Sequence, residues 1–369
     1  MKVIIFFTYG ISLKDWKKSG LLDREVKLYK YLADKYDITF TFLTYGKSDD
    51  ENILNYKNIQ IIPIYKYIKK SKLEIFELIK STTYPFRLRK IIDFENSILK
   101  TNQLWGAWLA VVSKILFKRP LIVRTGYDLV TFKIREKKSS FVIFLYKLLT
   151  KYSLKKSNYY IVTTDIDKKF LGNFSKKFNK KIKIIPNWIE VLEPKQVERL
   201  EKKIVSVGRL EKQKNYKDLI TSFSNSEVEI DIYGSGSEKD NLISLAKINN
   251  VKVNFYGNID NEKLLQILPK YKFFCTTTLY EGNPKSILEA MAAGCIVIAP
   301  KVKGISNLIE NNYNGLIFDP NYSDAYKVYE DNVNLDLSNI SKNSVKYVKD
   351  FHHLEEIAKH ELYLYKTLA

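Results

Sequence analysis

The stretch Tyr280 to Pro300, YEGNPKSILEAMAAGCIVIAP, closes on five consecutive apolar residues, Cys295 to Ala299. A strand-length run without polar alternation fits a strand buried on both faces, the condition of a parallel sheet covered by helices. Just before it, Ile287, Leu288, Ala290 and Met291 recur at helical spacing, and Gly294 ends the pattern. Asn283 is expected to cap this helix, with Pro284 in the first position, where a missing N–H costs nothing. The helix start offers free N–H groups and partial positive charge, a seat for phosphate or a sugar oxygen. Two carboxylates bracket that seat. Glu281 precedes the helix and Glu289 falls about two turns inside it.

The same strand–helix alternation runs along the chain. In the first half, Lys2–Phe7, Ile38–Thr44, Ile59–Ile64, Leu121–Arg124, Tyr159–Thr164 and Ile182–Ile185 read as strands. Leu21–Tyr36, Leu104–Phe117 and Phe141–Leu149 read as helices between them. A second series holds Ile204–Gly208, Val228–Tyr233, Val251–Tyr256, Phe273–Thr276, Ile296–Ala299 and Gly315–Phe318. Pro186 to Pro194 reads as the linker, and 369 residues exceed one ordinary core. The expected fold class is therefore α/β, with two doubly wound Rossmann-like domains at 1–190 and 191–340. Ligands bind beyond the carboxyl ends of such strands, which singles out Thr8, Gly10 and Lys14 in the loop Thr8–Gly20. No GxGxxG follows the first strand, which disfavours a nicotinamide-dependent oxidoreductase.

Charge separates the halves. Residues 1–190 hold 38 lysines and arginines against 17 aspartates and glutamates, a net +21, and residues 191–369 hold 23 against 24. The excess implies that the first half faces a polyanion: an anionic membrane, a lipid phosphate or nucleic acid. Lys66 to Lys90 interleaves basic and aromatic residues, as at a membrane interface. No nucleic-acid-binding motif accompanies the charge, so nucleic acid is not the expected partner. Cys275 and Cys295 sit in apolar runs and are expected as buried free thiols. His352, His353 and His360 crowd the C-terminus, and no Cys/His cluster marks a metal site. The N-terminus lacks the pattern of a cleavable signal peptide, and the apolar stretch Leu104–Ser113 is too short to span a bilayer.

Val207-Gly208-Arg209-Leu210, followed by Lys214-Asn215, places two cations after a strand in an Arg-x4-Lys arrangement. Fixed cations suit a diphosphate leaving group, on which negative charge grows as its bond breaks. Gly234-Ser235-Gly236 allows close backbone approach after another strand. These features, with Glu281-x7-Glu289, EGNP and LEAMAAG, resemble the retaining glycosyltransferases of family 4. The resemblance is strong over residues 200–320 and mostly architectural before that. It implies a GT-B fold, two domains facing each other across a cleft, with the terminal helical region 341–369 packing back on the first domain. It implies Arg209 and Lys214 on the donor diphosphate, Glu281 on a donor-sugar hydroxyl and Glu289 on the ribose. Backbone N–H groups from Gly282 through Ser286 (Gly282, Asn283, Lys285 and Ser286, Pro284 having none) would meet sugar and phosphate oxygens. Gly10, Gly208, Gly234 and Tyr256 complete the expected donor site, and Tyr256 flanks the base.

One departure concerns the first domain. Many family members carry a His on the loop where Thr125 to Asp128 falls here, and residues 1–351 contain none. An imidazole base there is excluded, leaving Asp128 or the leaving phosphate to accept a proton. Arg124 is an acceptor-contact candidate alongside Thr8 and Lys14. The expected activity is transfer of a hexose-type sugar from a UDP- or GDP-sugar to a glycan or lipid-linked acceptor, without a metal or other cofactor. A non-catalytic nucleotide-sugar-binding protein is the alternative. The expected location is the cytoplasm, peripheral on the inner face of the membrane.

Overall fold

The computed structural model describes residues 1–126, 129–174, 176–191, 197–322 and 324–369. They form two compact units. The first comprises Met1–Pro186 together with Ala358–Ala369, and the second Asn187–Ile357.

The first unit is built on a seven-stranded parallel sheet. Its strands are β1 (Lys2–Phe6), β2 (Thr39–Thr44), β3 (Ile59–Pro63), β4 (Ser97–Thr101), β5 (Leu121–Arg124), β6 (Tyr159–Val162) and β7 (Ile182–Ile184). Their order is β3-β2-β1-β4-β5-β6-β7, with Ile4 of β1 registered against Thr41 of β2 and Leu99 of β4. The apolar runs expected from the sequence are strands, and β4 is an addition to them. Its sequence, SILKT, carries a lysine in mid-strand, which hides the apolar pattern. Lys100 is fully buried all the same. Its Nζ donates to Glu361 Oε2 at 2.6 Å and to the Tyr365 hydroxyl at 3.0 Å, and Arg124 Nη1 lies 3.5 Å from Glu361 Oε1. Burial pushes the Glu361 carboxyl up, but Lys100 and Arg124 outweigh it and hold the group below its ordinary value. Helix Leu354–Lys366 delivers these partners, so a buried charge is compensated from the far end of the sequence.

The loop after β1 is more structured than expected. It contains helix Leu13–Lys18, started by a capping box in which Ser12 and Asp15 bond each other's backbone N–H. Asp50 anchors that helix, accepting from the N–H groups of Leu13 and Lys14 and from the Thr44 hydroxyl.

The second unit has a six-stranded parallel sheet of β8 (Leu200–Val207), β9 (Glu229–Tyr233), β10 (Val253–Gly257), β11 (Tyr271–Cys275), β12 (Ile296–Pro300) and β13 (Leu316–Phe318). The order is β10-β9-β8-β11-β12-β13, with separate apolar clusters on the two faces. After β8 the chain builds outward through β9 and β10, then returns to place β11 on the other side of β8. That reversal is where doubly wound sheets bind ligands. It brings the loop after β8 beside the loop after β11. Cys275 and Cys295 are free and buried, and burial raises the Cys295 thiol to about 12.

Candidate functional site

Helix Lys285–Ala292 follows the loop after β11 and is buried along Ile287–Ala292. Its N-cap is Pro284, not Asn283, and no side chain caps it. Asn283 is otherwise engaged. Its Oδ1 accepts from the Asn187 N–H at 2.8 Å, and its carbonyl accepts from Asn187 Nδ2 at 2.7 Å. The cap residue thus supplies no side-chain bond to the first turn, where the N–H groups of Lys285 and Ser286 stand. Gly294, at φ +75°, ends the helix as expected and passes the chain into β12. Glu289 is the fifth helical residue, little more than one turn in, not two.

The sheet reversal brings two of the expected residues into direct contact. Lys214 Nζ lies 2.5 Å from Glu281 Oε1, with 16% and 9% of the two side chains exposed. The same carboxylate oxygen accepts from Thr278 Oγ1 at 3.0 Å. The loops are laced together beneath this pair. Leu279 N donates to the Gln213 carbonyl at 2.9 Å, Gln213 Nε2 to the Tyr280 carbonyl at 2.9 Å, and Thr277 Oγ1 to the Asn215 carbonyl at 2.8 Å. Arg209 is exposed beside Glu211; bonds from Ser237, with Arg209 nearby, hold that carboxyl below its ordinary value.

Close backbone approach shapes the floor. Gly234, at φ +147°, donates its N–H to the Gly257 carbonyl at 2.7 Å, and a Cβ there would meet the Gly208 carbonyl oxygen at 1.9 Å. The sequence pattern anticipated glycine at that turn. It did not single out Gly304, at φ +92°, where a Cβ would lie 2.0 Å from the Glu281 carbonyl oxygen. A glycine just past the carboxyl end of β12, in KVKG, is the signal that marks it. Glu289 is 2% exposed and accepts from Asn261 Nδ2 at 2.8 Å. Tyr256 is exposed and stacks on Tyr233, ring centroids 4.8 Å apart. The Lys285 ammonium sits 5.0 Å from the centre of the Trp188 ring. A cavity of about 280 Å³, lined by Asn215, Asp218, Thr277, Phe318 and neighbours, opens alongside and shares Thr278 with the Glu281 cluster.

Asn187, within the expected linker, holds the Asn283 loop through these two bonds. His352 Nδ1 donates to its carbonyl at 2.9 Å, and burial pushes that imidazole below its ordinary value. Ile189 pairs with His353 in an isolated bridge.

The remaining expected residues belong to the first unit. Thr8 and Gly10 follow β1, and Gly10 has φ +79° with open space where a Cβ would point. Lys14 Nζ is ion-paired with Asp49 at 2.7 Å, on the surface, and Arg124 is drawn to Glu361. Asp128 lies outside the described residues. Among the described residues, no group of three or more His, Cys, Asp or Glu is placed to hold a metal ion, and no helix is long and apolar enough to cross a membrane.

Two parallel Rossmann-like sheets in one chain, the second with a cation–carboxylate pair at its reversal point, define the GT-B glycosyltransferase fold. Comparison with known proteins agrees. Sucrose-phosphate synthase from Thermosynechococcus elongatus superposes with a TM-score of 0.82 over 100% of this chain and 99% of that one, at 18% identity. The Anabaena protein HepE in complex with UDP and glucose gives 0.75 over 100% of both chains, at 15% identity. In sequence, residues 190–335 match the family described as Glycosyl transferases group 1. The N,N'-diacetylbacillosaminyl-diphospho-undecaprenol alpha-1,3-N-acetylgalactosaminyltransferase of Campylobacter jejuni is 25% identical over 78% of this chain and 80% of its own length. These matches support a glycosyltransferase of GT-B architecture.

Proposed function

We propose that the chain is a retaining glycosyltransferase of family 4 type, using a nucleoside diphosphate hexose as donor. The observation that carries this reading is the Lys214–Glu281 pair seated where β8 and β11 diverge, ahead of the uncapped helix Lys285–Ala292. In the reaction the bond between the sugar anomeric carbon and the diphosphate oxygen breaks, and the electron pair leaves with the diphosphate. Lys214 and Arg209 neutralise the growing charge, with no metal required. An acceptor hydroxyl forms the new bond on the same face, and its proton passes to the departing phosphate. Glu281 orients a donor-sugar hydroxyl. Glu289 takes the ribose, which asks Asn261 to shift because Glu289 is almost fully covered.

UDP is the first nucleotide to test, since HepE is described with UDP and glucose. The first unit supplies the acceptor site. A lipid-linked acceptor fits the net +21 of residues 1–190 and the diphospho-undecaprenol acceptor in the name of the Campylobacter relative. Such an acceptor places the protein on an anionic membrane surface, docked reversibly.

The test is incubation of the purified chain with UDP- and GDP-hexoses, following nucleotide release with and without EDTA. Release that survives EDTA and yields an α-configured product from an α-linked donor is the expected result. Tight binding with no release under any acceptor condition would favour the non-catalytic nucleotide-sugar-binding alternative.

A further inference from the structure

Helix Glu74–Ser81 is folded inside out. Its polar residues Glu77 and Ser81 are 1% and 0% exposed, and its apolar residues Ile75, Phe76 and Ile79 are 65%, 60% and 63% exposed. The inward face is well satisfied. Glu77 accepts from the Tyr84 hydroxyl and, at 2.6 Å, from the Ser71 N–H, and Trp108 Nε1 donates to Ser81 Oγ at 2.9 Å. The polar contacts therefore fix the helix with its apolar side outward. Helices of water-soluble domains show the opposite pattern. Leu73, 59% exposed, and Phe86, 53% exposed, extend the outward face.

Helix Ser140–Lys156 flanks the same tryptophans, because Tyr146 stacks on Trp105, which in turn meets Trp108 edge-on. That helix also presents an apolar stripe, with Phe141, Phe144 and Leu148 being 68%, 54% and 47% exposed. Cations border the patch. Lys69, Lys70, Lys72, Arg87 and Lys90 are exposed, and Arg89 lies 4.0 Å over the Phe86 ring. Exposed apolar side chains on both helices, with cations outnumbering the one exposed acid, Glu74, among them, suit neither bulk water nor a neutral partner. They match a phase that is apolar below and anionic at its rim.

We propose that helix Glu74–Ser81 is a membrane-insertion element, its outward face seated among the acyl chains of an anionic leaflet and its neighbouring cations on the headgroups. The proposal rests on the membrane-surface part of the function above, and adds that docking is by apolar insertion at a defined helix rather than by charge alone. Lys66 does not take part, since its ammonium is committed to Glu51 at 2.7 Å.

The experiment uses the full chain. Both native cysteines are buried, so an Ile79→Cys variant accepts an environment-sensitive fluorophore selectively; a Tyr322→Cys variant, at a residue 89% exposed in the second unit, is the control. On vesicles of phosphatidylglycerol and phosphatidylcholine, label at 79 brightens and shifts to the blue, and label at 322 does not. A Phe76→Ser, Ile75→Ser variant leaves the Glu77 side untouched; it should lose about tenfold or more in vesicle partition while hydrolysing donor normally without vesicles. Pelleting on these vesicles with no change at 79 overturns the insertion helix and leaves the membrane reading standing. Failure to pellet on any vesicle overturns both. A dimer in sedimentation velocity that the serine variant dissolves assigns the face to a second copy and overturns the proposal.

Discussion

Replacing Glu281 with glutamine should do opposite things to nucleotide binding and to sugar transfer. In the free protein, Lys214 spends its charge on Glu281 at 2.5 Å. A donor diphosphate must draw that ammonium away, so the strength of the pair is subtracted from the affinity. The pair is more sheltered than a surface ion pair, whose typical worth is 0.2–1 kcal/mol, and less than a fully buried one, so about 1 kcal/mol is released when it is removed. Glutamine keeps the shape and still accepts from Thr278, but carries no charge. At about 1.4 kcal/mol per tenfold, UDP should bind about fivefold more tightly to Glu281→Gln. Transfer should fall about 100-fold, because an oriented polar contact to the reacting sugar is lost. Titration calorimetry with UDP and single-turnover transfer at fixed ionic strength read the two quantities. The Lys214→Ala background separates competition from a general field effect. There the Glu281→Gln gain should vanish. A drop in UDP affinity on Glu281→Gln, or an equal gain in both backgrounds, would refute the idea that Glu281 holds Lys214 in reserve.

Arg209→Ala should slow transfer by about 100-fold or more while leaving the melting temperature unchanged, since the side chain is exposed; a normal rate would remove Arg209 from the diphosphate site. Gly234→Ala forces a Cβ against the Gly208 carbonyl at a φ that alanine avoids, and should weaken UDP binding and lower the melting temperature together. Lys100→Met leaves the buried Glu361 with Arg124 as its one remaining cation. It should cost about 3 kcal/mol, a fall of about 6–12 °C in melting temperature, checked by calorimetry. Because Glu361 is held below its unfolded value, its contribution is present above that value and is lost as pH falls through the folded one. Glu361→Gln should therefore flatten the acid side of the stability profile, measured by denaturant titration from neutral to acid pH.

The sheets were legible wherever strands are uniformly apolar, as at Val3–Phe6 or Ile296–Ala299. They were illegible at β4, because the partner that makes Lys100 tolerable sits 261 positions away. The Asn283 cap failed for a related reason. Asn283 satisfies the cap rule locally, but Asn187 reaches it first from a distant segment. Helix Glu74–Ser81 shows the limit most clearly. Lys66 to Lys90 reads in the sequence only as interleaved basic and aromatic residues, and nothing in that pattern says which side of a helix turns inward; that is decided by Tyr84, Ser71 and Trp108. In the second unit it was the family resemblance that put Lys214 and Glu281 in one expected site. Their direct bond was not foreseen, because it depends on β11 returning beside β8.

The partnership of Lys100 with Glu361 also bears on how the protein is made. A ribosome adds about 5–20 residues per second, so Lys100 waits roughly 13–50 s for the carboxylate that balances it. Throughout that interval Lys100 has no carboxylate partner at hand, and all of the second unit is synthesised in the meantime. The domain begun first is thus finished last. A premature stop a few codons before Glu361 would spare the second unit, which closes at Ile357, and cripple the unit whose other residues were translated long before.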